Sequence, residues 1–118
     1  MLTEAERGAI LRIDVVEGLE EDEETFTVLV APVTYRDVDA RYYSRTLPAS
    51  RIIIRKRGKG FKFRVFERST NNPLYDHPRC AGNGGFCLGN VKSAFYRYRR
   101  DGDYVLATTL LILFMKSS

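Results

Sequence analysis

The chain has 118 residues with nineteen Lys and Arg against fifteen Asp and Glu, a formal net charge of +4, and a length that provides for one domain and one core but not two. Its mildly basic balance, with an isoelectric point near 9.2, permits an anionic partner without requiring one. The longest apolar run falls short of the ~20 residues of a membrane span and the N-terminus carries no basic-then-apolar leader, so a soluble, cytoplasmic protein with no membrane contact is expected.

Thr3 and Glu6 have the spacing of a capping box, which predicts a helix starting there. Leu2, Ala5, Ala9, Ile13 and Val16 then share one helical stripe. A strand competes at the end of this segment, because Leu11, Ile13 and Val15 alternate with Arg12 and Asp14. Gly8 weakens a long helix, so a short helix giving way to strand is the favoured reading, and 9–16 stays open between the two. Residues 17–24 hold six carboxylates, Glu17, Glu20, Glu21, Asp22, Glu23 and Glu24. Such a run repels itself and reads as a solvated loop, with a docking surface for a basic partner as the sharper alternative.

From 25 to 35 the chain reads as a strand, with Phe26, Val28 and Val30 alternating with Thr27 and Leu29. Pro32 bends or ends it. A polar stretch through Arg36, Asp37, Asp39 and Arg41 follows, and Pro48 marks a further break. Residues 51–57 carry Ile52, Ile53 and Ile54 as a second strand. Gly58, Lys59 and Gly60 form a turn into a third, in which Phe61, Phe63 and Val65 alternate with charged residues. The exposed edge of this hairpin would carry Arg55, Lys56, Arg57, Lys59, Lys62 and Arg64. Cations beside aromatic rings suit a nucleic acid, whereas core-facing Phe61 and Phe63 and protective edge lysines are the plainer explanation.

Residues 75–90 concentrate the scarce reactive side chains: the only histidine, His77, both cysteines, Cys80 and Cys87, and four of the nine glycines. Asn83, Gly84 and Gly85 are a strong turn signal that brings the flanking segments together. A cysteine acts as its thiolate, and at its ordinary pKa of ~8.5 only a few per cent is ionised at neutral pH, so a nearby Arg79 would help. A hydrolase would use His77 as base. On residue types alone the favoured reading is the plainer one, that both cysteines are small buried hydrophobes and His77 a satisfied loop residue. His77, Cys80 and Cys87 give three metal ligands where a structural zinc wants four, so no metal and no cofactor is expected. A Cys80–Cys87 disulfide is sterically allowed, but nothing marks the chain as secreted.

Tyr96, Arg97, Tyr98, Arg99 and Arg100 form a basic aromatic run whose plain reading is an exposed segment with its tyrosines packed to one side. Residues 104–116 are apolar nearly all round, which reads as a buried helix across the sheet, with Asp103 as its cap and Lys116 at the negative end of its dipole. Thr108 and Thr109 leave a strand open.

His77-Pro78, Asn83-Gly84 and Cys87-Leu88, with ten residues from His77 to Cys87, resemble the active-site signature of ubiquitin-conjugating enzymes, and the Cys-Leu-Gly-Asn ending is closest to bacterial and phage members of that superfamily. The resemblance covers this one stretch and the order of elements around it. It implies an α+β fold of that type in minimal form: an antiparallel β-meander with an N-terminal helix and a C-terminal packing helix, 1–118 being one domain. It also implies that Cys87 accepts a ubiquitin-like protein as a thioester from an activating enzyme and passes it to an amine. His77 would hold the loop, and Pro78, Asn83, Gly84 and Leu88 would shape it. The run from Tyr96 to Arg100 would flank the groove. Where the eukaryotic family has an oxyanion-supporting asparagine after His-Pro, this chain has Arg79. A guanidinium can also stabilise developing negative charge, with different geometry. A catalytically inactive domain of the same fold used for binding, and a basic nucleic-acid-binding module, are the alternatives.

Overall fold

A computed structural model of the chain describes residues 1–37, 43–70, 72 and 91–116. The elements run α1 (Glu4–Leu11), β1 (Val16–Glu21), β2 (Thr25–Val30), β3 (Val33–Asp37), β4 (Tyr43–Leu47), β5 (Ser50–Arg55), β6 (Phe63–Glu67), α2 (Lys92–Arg100) and α3 (Tyr104–Met115). The fold is α+β, as expected. Four antiparallel strands form one sheet in the order β1-β2-β5-β6, and β3 and β4 form a separate hairpin inserted between its two halves.

The helix α1 begins where the capping box puts it. Thr3 Oγ1 accepts from the Glu6 backbone N–H at 3.1 Å and Glu6 Oε1 accepts from the Thr3 N–H at 2.8 Å, so two of the orphan donors of the first turn are satisfied. The buried side of α1 is Ile10, however, and Ala5 is exposed. The helix ends at Leu11 and the strand reading applies only from Val16 onward. Between them Val15 sits at φ +67°, which a β-branched residue adopts only when its surroundings enforce it. Two backbone bonds do so, Val16 N–H to Ile13 C=O at 3.1 Å and Ala31 N–H to Val15 C=O at 2.8 Å.

The acidic run corrects the expectation of a solvated loop. Val16–Glu21 is a strand paired along β2, with Glu21 opposite Phe26, and only the turn beyond it is loop. Asp22 closes that turn. Its Oδ1 accepts from the Thr25 N–H at 2.8 Å and the Glu24 N–H at 2.9 Å. These two bonds, then that of the Thr25 hydroxyl, hold the carboxyl below its ordinary range against a weak opposing effect of burial, with the Lys56 charge adding to them.

In β2 the alternation is as read, Phe26, Val28 and Val30 being fully buried. Of the two outcomes expected at Pro32 the strand ends there, so 25–35 is two strands, and β3 leaves the sheet for its own hairpin with β4. Ile52 and Ile54 of β5 and Phe63 and Val65 of β6 complete the inner face. Phe95 of α2 meets Phe63 edge-on at 5.1 Å between centroids, and Tyr104 of α3 meets Phe26 at 5.5 Å. Both geometries suit the ring quadrupoles.

The basic aromatic run is helical, in α2, with Arg97 and Arg100 exposed and Tyr96 and Tyr98 packed to one side against the core, as the plain reading has it. It ends in a Schellman motif: Gly102 at φ +79°, its N–H bonded to Arg99 C=O at 3.2 Å, and the Asp103 N–H to Tyr98 C=O at 2.8 Å. A residue with a Cβ pays a steric penalty at that φ, which is why glycine serves there. The next helix, α3, buries Ala107, Thr108, Leu111, Ile112, Phe114 and Met115, but Leu106 and Leu113 are exposed at 50% and 58%, so it is not buried all round. Asp103 is its N-cap by position and makes no side-chain cap bond. Thr108 and Thr109 fit a helix because their hydroxyls donate back to Tyr104 C=O and Val105 C=O at 2.8 and 2.7 Å. Lys116 pairs with Asp14 at 2.7 Å, tying the end of α3 to the α1–β1 junction. That hydrogen bond, and next the Lys116 charge, hold the Asp14 carboxyl below its ordinary range despite its slight desolvation, with the Val15 N–H adding a little.

Candidate functional site

His77, Pro78, Arg79, Cys80, Asn83, Gly84, Cys87 and Leu88 all lie outside the described residues. What is described is the frame that flanks them in the chain, the end of β6 and the start of α2. At the end of β6 the Glu67 N–H bonds Asn72 C=O at 3.0 Å, the Asn72 N–H bonds Thr70 Oγ1 at 3.2 Å, and the Arg68 N–H bonds Ala49 C=O at 2.9 Å. On the other side of 73–90 the chain enters α2 at Lys92. Because Phe63 and Phe95 pack together, the stretch bearing Cys87 leaves one element and joins another already in contact with it.

The frame itself is charged. The β5–β6 turn is shaped by Gly58 at φ +93° and Gly60 at φ +113°, with Arg55 N–H bonded to Lys62 C=O at 3.0 Å across its base. Arg55 and Arg64 both place their guanidinium carbons 4.6 Å from the centroid of Phe61. Lys62 from the turn and Lys92 from α2 both place their ammonium nitrogens over Tyr96, at 5.1 and 5.5 Å, and Arg97 lies 5.4 Å from the Tyr98 ring. Arg99 Nε donates to Arg55 C=O and locks α2 to the end of β5. Turn and helix therefore form one surface, running Arg64, Phe61, Lys62, Tyr96, Lys92.

Two of the cations assigned to the exposed hairpin edge are placed differently. Since β5 is an inner strand, Arg55 turns to Glu24 at 3.0 Å and Lys56 to Glu21 at 2.8 Å, the Lys56 side chain being only 7% exposed. Phe61 precedes β6 and is half-buried rather than core, while Phe63 is core. Lys62, Arg64, Lys92 and Arg97 pair with no carboxylate among the described residues.

The opposite character is found at the end of β1. Glu21 has no exposed side-chain surface, and it accepts from Arg7 Nη2 at 2.6 Å, the Leu2 N–H at 2.7 Å and Lys56 Nζ at 2.8 Å. Lys56 Nζ also donates to Asp22 C=O at 2.8 Å. Burial pushes the Glu21 carboxyl up, but the Lys56 and Leu2 hydrogen bonds and the Lys56 and Arg7 charges together outweigh it and leave the group below its ordinary range. Such an assembly fixes the chain start, α1, β1 and the end of β5 to one another. Reasoning along the chain missed it because its partners are 14, 19 and 35 residues from Glu21.

Comparison with protein families, with curated proteins and with solved structures found no match.

Proposed function

We propose that the chain is a minimal ubiquitin-conjugating-type domain in which Cys87 carries a ubiquitin-like modifier as a thioester. The observation that supports the reading is the order of elements about the motif: an N-terminal helix, a four-stranded antiparallel sheet, the His77-to-Cys87 stretch, then two helices. In the first step the Cys87 sulfur attacks the modifier's C-terminal carbonyl, held as a thioester on an activating enzyme. A new C–S bond forms, the activating enzyme's thiolate leaves, and the Cys87 proton passes to solvent. In the second step a neutral amine nitrogen attacks the same carbonyl, the C–S bond breaks as an amide forms, Cys87 leaves as a thiolate, and the amine's surplus proton passes to solvent. By the resemblance, Arg79 takes the sequence place of the asparagine that supports the oxyanion, and His77 the place of the histidine that holds the loop.

Co-expression with an activating enzyme and its ubiquitin-like modifier tests this. A thiol-cleavable adduct is expected on the wild type and on Cys80→Ala but not on Cys87→Ala. Arg79→Ala should still load, and should discharge to amine more slowly by about 10²–10³, the usual effect of losing an oxyanion donor. Loading that persists in Cys87→Ala sinks the assignment. If Arg79→Ala loads and discharges as the wild type does, Arg79 has no part in the step.

A further inference from the structure

We propose that the surface joining the β5–β6 turn to α2 binds the phosphodiester backbone of a nucleic acid through Lys62, Arg64, Lys92 and Arg97. The inference is independent of the role of Cys87. It starts from how the cations are held. A carboxylate positions a cation and cancels its charge, whereas an aromatic ring positions it and leaves the charge intact. For Lys62, Arg64, Lys92 and Arg97 the rings of Phe61, Tyr96 and Tyr98, and no carboxylate among the described residues, do the holding. Two ammonium groups share Tyr96, although like charges brought together destabilise the fold that assembles them. Helix physics does not account for the arrangement either. Arg97, Arg99 and Arg100 in the last turn of α2 suit its negative end, but Lys92 stands in the first turn, where the dipole opposes a cation and no acidic residue offsets it.

The distribution of charge along the chain has the same sense. Up to Leu47 the chain holds eleven Asp and Glu against five Lys and Arg, and beyond it four against fourteen. A net +4 is thus a strongly acidic part joined to a strongly basic one. The bound chemistry follows from the side chains. The rings are occupied by cations and offer little face for base stacking, so phosphate contact rather than base recognition is the main term, and affinity is expected to be insensitive to sequence.

The test is fluorescence anisotropy with labelled oligonucleotides of mixed sequence, as single-stranded DNA, duplex DNA and RNA arms, across a salt series. With four phosphate contacts, raising salt from ~50 to ~200 mM should weaken single-strand binding about 50-fold, and the Lys62→Gln, Lys92→Gln, Arg97→Gln triple variant should reduce that dependence to about 3-fold. Arg68→Gln, which removes a cation paired with Glu17, should bind as the wild type does. The exposed single variant Arg97→Glu, checked by its melting curve, gives the same direction of loss with the least risk to folding. Binding that is flat with salt, or lost equally in Arg68→Gln, overturns the proposal. So does preference for phosphatidylserine vesicles or polyglutamate over every oligonucleotide arm.

Discussion

The acidic end of β1–β2 and the basic surface of the β5–β6 turn with α2 are both dense in charge, yet they are built on opposite principles. At Glu21 every charge meets an opposite charge or a backbone donor, and the side chain is sealed from solvent. At Tyr96 two cations meet over a ring, and neither is neutralised by a carboxylate among the described residues. In the first arrangement the charge is used up internally and serves the fold. In the second no carboxylate among the described residues takes it up, which is the condition the proposed phosphate contact needs. Net charge conceals this difference, and only the partners of each group reveal it.

The comparison breaks most readily at Glu21. Replacing it by alanine leaves the Lys56 ammonium nearly buried without its carboxylate, and losing one member of a buried pair costs roughly 3–5 kcal/mol. Urea unfolding should show that loss as a lower midpoint. A change under ~1 kcal/mol would mean that Lys56 finds water easily and that the cluster is no clasp.

Acid provides the next largest effect. The Glu21 carboxyl lies below its ordinary range in the folded protein, so the stability it contributes is fully present above the unfolded-state pKa. That stability is lost as pH falls through the folded-state value. Asp14 and Asp22 shift in the same direction. Melting temperature should therefore hold between neutral pH and the top of the carboxylate range, then fall below it. Glu21→Gln should start lower and fall less steeply. Parallel curves for the two proteins would remove Glu21 from the acid response.

The sequence made the local parts of this molecule readable and hid those that depend on distant partners. Thr3 and Glu6 declare the start of α1 because both halves of the capping box lie within four residues. Phe26, Val28 and Val30 declare β2 through period-two burial, and Gly58 and Gly60 mark the hairpin turn through backbone conformation. The acidic β1 was illegible because six carboxylates in eight residues look solvated until Leu2, Arg7 and Lys56 are placed around Glu21. Both halves of the basic surface were visible, as a hairpin edge and as a tyrosine-arginine run. What joins them, Lys62 and Lys92 over one ring, is a tertiary contact that no spacing announces. The Cys87 stretch is legible as a motif, and its residues lie outside those described.

The smallest expected effect separates the two principles most sharply. If the basic surface serves the fold, removing its cations should cost stability as removing Glu21 does. If it is held ready for a partner, removal should be nearly free. Lys92→Gln loses one ring contact, worth about 0.5–1 kcal/mol at an exposed site. It also removes a cation from the unfavourable end of α2, worth about 0.3–1 kcal/mol in the opposite direction. The two nearly cancel, so the urea midpoint should move by less than the equivalent of ~0.5 kcal/mol. Added salt should narrow the difference further, since screening weakens the repulsion between Lys62 and Lys92 in the wild type. A loss of ~2 kcal/mol or more would show that Lys92 fastens α2 to the turn, and the contrast with Glu21 would then disappear.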